Sequence, residues 1–313
     1  MDNIKKKSFI ITIDTEGDYI WNRNTWTENS VKNRITIRNS SYIERFQRLC
    51  EKYGYKPTYL VDYEMCAPSP FVDLANECIK KKNAEIGMHM HAWTIPPFYN
   101  LKRGKETGGN HPYIGEYPTS VIEDKVKVIT HKIQDSFGVI PKSHRSGRWY
   151  IDRKYLAILK KHGYIADCSV IPGKDWTFNA GLTEGSHGID YRRFPNKAYK
   201  ISMFNIGKEG KSGLIEVPLT TAYKNKQLIE LRPYRHNIKD LNYLVDKCTE
   251  EKRDYLEFML HSSELMRAGS PNFLTENDIE VLYDDLEQLF EKISYHYEGV
   301  TLSQYVENMR KIL

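Results

Sequence analysis

The sequence predicts an α/β fold: a closed or nearly closed (β/α) barrel of about seven strands. Three observations carry this. Apolar strand-like runs alternate with amphipathic helical stretches almost throughout, no linker interrupts them, and several candidate strands end in Asp, His or Arg. Repeated βα units impose a parallel sheet with right-handed crossovers. In such barrels the working residues gather at the C-terminal ends of the strands.

SFIITID (8–14) is a β-branched run and reads as the first strand. SSYIERFQRLCEKYG (40–54) follows with a helical period, opened by Ser41 and Glu44 at capping-box spacing. PTYLVDYEMC (57–66) and AEIGMHM (84–90) are strands around the helix PFVDLANECIKKKN (70–83). A long loop (92–117) leads to the helix TSVIEDKVKVITHKIQDSFG (119–138), closed by a glycine. KSHRSG (142–147) and YIADCSV (164–170) read as strands flanking the helix DRKYLAILKKHG (152–163). Residues 171–235 are irregular, rich in Gly, Pro and Tyr, with one clear strand, LIEVPLT (214–220). The helix KDLNYLVDKCTEEK (239–252), the strand YLEFMLHS (255–262) and the helices ENDIEVLYDDLEQLFEKISYHY (276–297) and LSQYVENMRKIL (302–313) complete the chain. Residues 1–313 are expected to form one domain without internal repeats.

A chain of 313 residues, 40% hydrophobic and 28% charged, builds a core without staples. Its five cysteines (Cys50, Cys66, Cys78, Cys168, Cys248) are scattered and show no CxxC pairing. That argues against a disulfide framework or a thiolate zinc site and suits a reducing compartment. The apolar run near the N-terminus is too short for a signal sequence, and no later run approaches a membrane span. The expectation is a cytoplasmic protein. A net charge of +5, with lysines spread as in IKKKN and LKKHG, reads as solvated surface and not as a nucleic-acid footprint.

The polar strand ends supply the candidate site. In AEIGMHMHAW (84–93), His89 and His91 are one residue apart, so extended backbone points both to one face. Convergent neutral imidazoles commonly hold a metal, which needs further ligands. Asp14, Glu16 and Asp18 follow the first strand, Arg145 ends SHR, Asp167 falls in IADCS, and His261 ends LEFMLH.

In this order the residues resemble the polysaccharide deacetylase family (NodB-homology, carbohydrate esterase family four), and within it the WalW-like lipopolysaccharide-biosynthesis branch. TIDTEGD (12–18) stands where the family has its aspartate motif, and EIGMHMHAWTIPPF (85–98) where it has its His-rich motif. HRSGRWYI (144–151) stands for its arginine motif, DCSVIPG (167–173) for its fourth, and MLHSSELMRAGSP (259–271) for its His-containing fifth. The resemblance spans roughly residues 7–306. It implies a distorted (β/α) barrel of NodB-homology type. It also implies metal-dependent removal of an N- or O-acetyl group from a sugar in surface polysaccharide or lipopolysaccharide biosynthesis. The implied substrate is an acetylated sugar, sugar nucleotide or oligosaccharide, and the implied cofactor a divalent metal, zinc before others.

Two departures from the family pattern leave the ligand set open. Asp14 is followed by Thr15 where the family has a second aspartate, and the histidines are one residue apart, with Trp93 beyond them. The implied metal ligands are Glu16 or Asp18 with His89 and His91; alternatively His111, in GNHPYIG, replaces His91. The resemblance also implies Asp14 as the base, paired with Arg145, and His261 as the acid. It implies an aspartate that orients His261, either Asp167 or Asp175 in GKDW. Trp93, Trp149 and Trp176 are candidates to stack on sugar rings. Ser262 and Ser263 lack the G-x-S-x-G setting of a nucleophile and read as loop structure.

Two other readings compete. An amidohydrolase-type metal hydrolase of a C–N bond also uses His-x-His in a barrel, but on the first strand; here the pair lies on the third, and no suitable metal-bridging lysine stands out. A catalytically inactive glycan-binding relative would explain the altered DTEGD motif. Metal content of protein purified without added metal separates that reading from an enzyme.

Overall fold

The computed structural model describes residues 7–18, 35–104 and 111–312; residues 105–110 of the expected long loop lie outside it. The strands are β1 (Lys7–Thr15), β2 (Thr58–Val61), β3 (Glu85–Met90), β4 (Ser143–Ser146), β5 (Ala166–Asp167), β6 (Tyr199–Lys200), β7 (Ile215–Glu216), β8 (Thr221–Lys224), β9 (Gln227–Glu230), β10 (Tyr255–His261) and β11 (Tyr297–Gly299). The α-helices are α1 (Ile43–Lys52), α2 (Pro70–Lys81), α3 (Thr119–Phe137), α4 (Arg153–Lys161), α5 (Ile238–Glu250), α6 (Glu276–Ser294) and α7 (Leu302–Ile312).

The main sheet runs β10-β1-β2-β3-β4-β5-β7-β6, with β11 beside the start of β1. From β10 to β7 every pairing is parallel, and only β6 joins antiparallel. This run of parallel strands curls into a half-barrel flanked by helices, the distorted barrel expected from the sequence. Among the described residues no ladder closes it between β7 and β10. Two backbone bonds bridge the gap instead, Thr220 N–H donating to Glu257 O at 3.2 Å and Met259 N–H to Leu231 O at 3.3 Å, and side-chain bonds such as Glu257 N–H to Thr220 Oγ1 at 2.8 Å support them.

Period-two alternation sorts β1 between two cores. Phe9, Ile11 and Ile13 pack outward under the helices, where Phe9 meets Phe290 of α6 edge-on at 5.7 Å. Ile10 points inward with Leu60, Ala166, Ile215 and Tyr255, and Leu302 and Val306 of α7 plug this end of the barrel. Fully burying such a side chain contributes about 1.5–3 kcal/mol. The plug is seated by its own N-terminus: Leu302 N–H donates to Thr58 Oγ1 and Ser303 N–H to Glu85 Oε2, both at 2.9 Å. The lower barrel is therefore closed and apolar, leaving the strands' C-terminal ends for chemistry.

Several boundaries differ from the sequence expectation for identifiable reasons. The Ser41–Glu44 capping box is not made; a 3-10 turn (Arg38–Tyr42) leads into α1 without a side-chain cap, and its buried Asn39 turns to the site. The strand expected at 164–170 shortens because Asp167 accepts from Ser169 N–H at 3.1 Å and its hydroxyl at 3.0 Å, turning the chain. The 214–220 strand shortens to Ile215–Glu216 as Pro218 approaches. The β8–β9 hairpin and β11 had no clear signal; the hairpin turns through Asn225 and Lys226, both at positive φ (49° and 67°) without a glycine. No described helix is long and apolar enough to cross a membrane.

Candidate active site

Up the inner face of β1 the residue types change from Ile10 to Thr12 to Asp14, with Glu16 just past the strand. On the neighbouring inner face of β10 stand Glu257, Met259 and His261, and Asp14 is in register with His261. β3 carries His89, in register with Arg145 of β4, and His91 follows directly after β3. All the charged groups in this set are buried.

His89 and His91 converge on one carboxylate. His89 Nε2 lies 3.3 Å and His91 Nε2 3.1 Å from Glu16 Oε2. Among the described residues, Glu16, His89 and His91 form the one group able to offer three ligand atoms within 4.8 Å of each other. Ligand atoms held about 2.0–2.1 Å from a tetrahedral zinc lie about 3.3 Å apart, so two imidazoles and a carboxylate at these spacings fit one divalent ion. Burial pushes the Glu16 carboxyl up, but His261 and the hydrogen bonds of His89 and His91 outweigh it and hold the group well below its usual range.

Glu16 is aimed by its backbone. Its carbonyl accepts from Asn39 Nδ2 at 2.7 Å, its N–H donates to Ser262 Oγ at 3.2 Å, and Gly17 N–H donates to Asp62 Oδ2 at 2.9 Å. The placement of His91 depends on Gly147. A Cβ there would stand 2.4 Å from His91 Cδ2 and 2.7 Å from Met90 O. The next residues, Arg148 and Trp149, hold left-handed φ values of 58° and 57°. Such conformations cost about 1–3 kcal/mol each and persist only when over-determined by their surroundings. Arg148 is so determined: it donates to Tyr113 Oη at 3.0 Å, to Ala180 O at 2.8 Å and to His111 O.

Arg145 has no exposed surface and makes four hydrogen bonds inside the barrel. It donates to Asp14 Oδ1 at 2.7 Å, to Thr12 Oγ1 and Glu257 Oε1 at 2.8 Å, and to Cys168 O at 2.9 Å. Burial opposes the Asp14 charge, but Arg145 first, then His89 and His261, keep its carboxyl below the ordinary range. Glu257, with one oxygen unpartnered, goes the other way: burial pushes it up to about 7 despite Arg145 and Thr12. His261 Nε2 stands 3.6 Å from Asp14 Oδ2 and 3.7 Å from Glu16 Oε1, facing the same space.

Five expectations need correction. Asp18 does not face the histidines: its oxygens accept from Thr36 N–H (3.1 Å), the Thr36 hydroxyl and Arg38 Nε (3.1 Å). His111 does not join the cluster; its ring stacks on Trp93 at 4.3 Å, and burial pushes its pKa down to about 2, helped by His91 and Arg148. Asp167 does not reach His261, because His144 Nδ1 takes it at 2.5 Å and passes on to the Tyr155 hydroxyl at 2.7 Å. Asp175 lies away from the site with Arg192 and Thr177. Trp93 is sandwiched between His91 (4.7 Å) and His111, so neither face is open to a sugar.

Trp149 and Trp176 both pack on Ile171, Leu219 and Met259, and Trp149 also covers the Arg145 guanidinium at 4.9 Å. The residues that sequence reasoning missed include the partners of His261, namely Glu264 and Arg232, the buried Glu257 and His144, and the cradle residues Asn39 and Asp62. Only Glu264, three residues beyond His261 in the same motif, carried a signal that could have been read.

No protein-family model and no curated protein matches the chain in sequence. Solved structures do match in fold. A Mycobacterium smegmatis protein described as a candidate polysaccharide deacetylase aligns over 99% of this chain and 93% of its own, with TM-score 0.58 and 12% identity. The fold is of the polysaccharide-deacetylase type. The 4-alpha-glucanotransferase of Thermococcus litoralis aligns over 96% of this chain and 40% of its own, with TM-score 0.52 and 15% identity. A deacetylase-type barrel thus resembles proteins of unlike chemistry, and function must be argued from the site.

Proposed function

We propose that the protein is a metal-dependent hydrolase that removes an acetyl group from a sugar. The observation that carries this is the convergence of His89 and His91 on Glu16 beside an Arg145-paired Asp14, with His261 facing the same space. Glu16, His89 and His91 would hold the ion, zinc being the first choice for two imidazoles and a carboxylate. When bound, such an ion lowers the pKa of water and polarises a carbonyl.

The chain's own groups supply the proton traffic. Asp14, kept ionised by Arg145, takes a proton from the attacking water as its oxygen bonds to the acetyl carbon. As the C–N bond breaks, His261 gives the Nε2 proton to the leaving nitrogen, and acetate and a free amine result. An O-acetyl substrate leaves as an alcohol by the same route and depends less on the acid. Trp149 and Trp176 offer aromatic surface to a sugar ring. In this proposal residues 1–313 act as one catalytic domain, on a biosynthetic intermediate of surface polysaccharide or lipopolysaccharide. Screening N-acetylated sugar nucleotides and oligosaccharides for acetate release tests it. Release from at least one class is expected, and its absence across the panel with zinc-loaded protein counts against the reading.

A further inference from the structure

The segment bridging the open side of the barrel delivers a residue to the site. The β8–β9 hairpin exits along β10, where Leu231 O accepts from Met259 N–H, and the next residue is Arg232. Arg232 is buried; its Nη2 lies 2.9 Å from His261 Nδ1 and 3.1 Å from Glu264 Oε1. Glu264, fully buried in the turn after β10, accepts from His261 N–H at 2.8 Å through Oε2, which also stands 3.3 Å from His261 Nδ1. Asn272 Nδ2 donates to Oε1 at 3.0 Å.

A guanidinium has donors and no acceptor. Its 2.9 Å bond to Nδ1 needs a lone pair there, which puts the ring proton on Nε2, the nitrogen facing Asp14 and Glu16, whereas the longer 3.3 Å contact of Nδ1 with the Glu264 carboxylate needs Nδ1–H.

We propose that Arg232 and Glu264 are positioning residues that keep a proton on the site-facing Nε2 of His261. With the ring neutral, Arg232 donates to Nδ1; with the ring cationic, Nδ1–H donates to Glu264. In both states Nε2–H points into the site. The catalytic consequence rests on the deacetylase reading: when the cation's Nε2–H bond breaks and the proton joins the leaving nitrogen, the ring is left as the Nδ1–H form on Glu264, and uptake of a proton from water at Nε2 with loss of the Nδ1 proton restores the resting form that Arg232 holds.

The test is nitrogen NMR of full-length protein labelled with 15N-histidine, at a pH where the His261 ring is neutral, with His261→Gln assigning its signals. Wild type and Arg232→Lys are expected in the Nε2–H form. Arg232→Met is expected to shift to Nδ1–H, donated to Glu264. An Nδ1–H ring in wild type, or an unchanged Nε2–H ring in Arg232→Met, overturns the proposal. In acetate release, Arg232→Met and Glu264→Gln should lower kcat at least tenfold with KM nearly unchanged, and Arg232→Lys should recover most of it. A loss confined to KM overturns the positioning role. The expected tautomers in a protein that releases no acetate support the positioning and sink the deacetylase reading; acetate release with the wrong tautomer does the reverse.

Discussion

The Cδ2 atom of His91 lies 2.4 Å from where a Cβ on residue 147 would stand, so the second imidazole reaches Glu16 only because that residue is glycine. Gly147→Ala should push the ring aside while leaving β3 and β4 paired. Zinc affinity is expected to fall at least tenfold, the size of loss seen when a ligand's orientation is disturbed. Titrating zinc into metal-free protein checks this, with thermal unfolding as a control for the fold. Undiminished affinity would show that His91 is not a ligand.

Glu16 and Asp18 separate cleanly. Glu16→Gln should cost at least tenfold in bound metal. Asp18→Asn should leave metal content unchanged, since both Asp18 oxygens are occupied by Thr36 and Arg38. Elemental analysis of the purified variants decides. The opposite ranking would return Asp18 to the site.

How far the site could be read from the chain depends on what kind of fact each residue needed. The pairing of His89 with His91 and of Asp14 with Glu16 follows from strand parity alone. Parity could not choose between Glu16 and Asp18, because both share Asp14's phase. The choice is made by the antiparallel bridge of Asp18 to Thr36, a contact across 18 residues. Asp167 was misassigned because its partner, His144, is a cross-strand neighbour whose register no local pattern reveals. Arg232 was invisible for a similar reason. It lies in a stretch without periodicity, placed by a hairpin whose Asn-Lys turn lacks glycine. The order of strands and helices was legible because each strand's apolar run is long relative to its loops. The shortened β5 and β7 were not, because side-chain bonds from Asp167 and the ring of Pro218 end them.

Asp14 and Arg145 should fail differently. Asp14→Asn is expected to retain metal yet lose roughly two to four orders of magnitude in kcat, the usual worth of a positioned base. Arg145→Met leaves Asp14 and Glu257 buried without their shared cation. It should destabilise the fold by about 3–5 kcal/mol, the cost of breaking a buried pair from one side. Kinetics on the first and denaturant melts on the second check both. An Asp14→Asn protein that loses its metal would make Asp14 a ligand.

Glu257 gives stability a pH signature. Its folded pKa, raised to about 7 chiefly by burial, exceeds the ordinary glutamate value of about 4.3. The folded state therefore binds this proton more tightly than the unfolded state. The resulting stabilisation is complete below about pH 4, declines as pH rises, and is gone above about pH 7. Glu257→Gln keeps an acceptor for Arg145 and Thr12 but cannot titrate. Relative to wild type it should gain stability between pH 5 and pH 8, by an amount on the order of 1–3 kcal/mol. Parallel unfolding curves across that range would contradict the raised pKa.

The central claim is that Glu16, His89 and His91 hold an ion on which acetyl removal depends. Acetate release by wild type and Glu16→Gln, measured after chelation and again after zinc is restored, tests it most directly. Wild-type activity should vanish on chelation and return with zinc, while Glu16→Gln stays inactive at the same zinc concentration. Acetate release that survives chelation in wild type, or an equally active Glu16→Gln, would contradict the account.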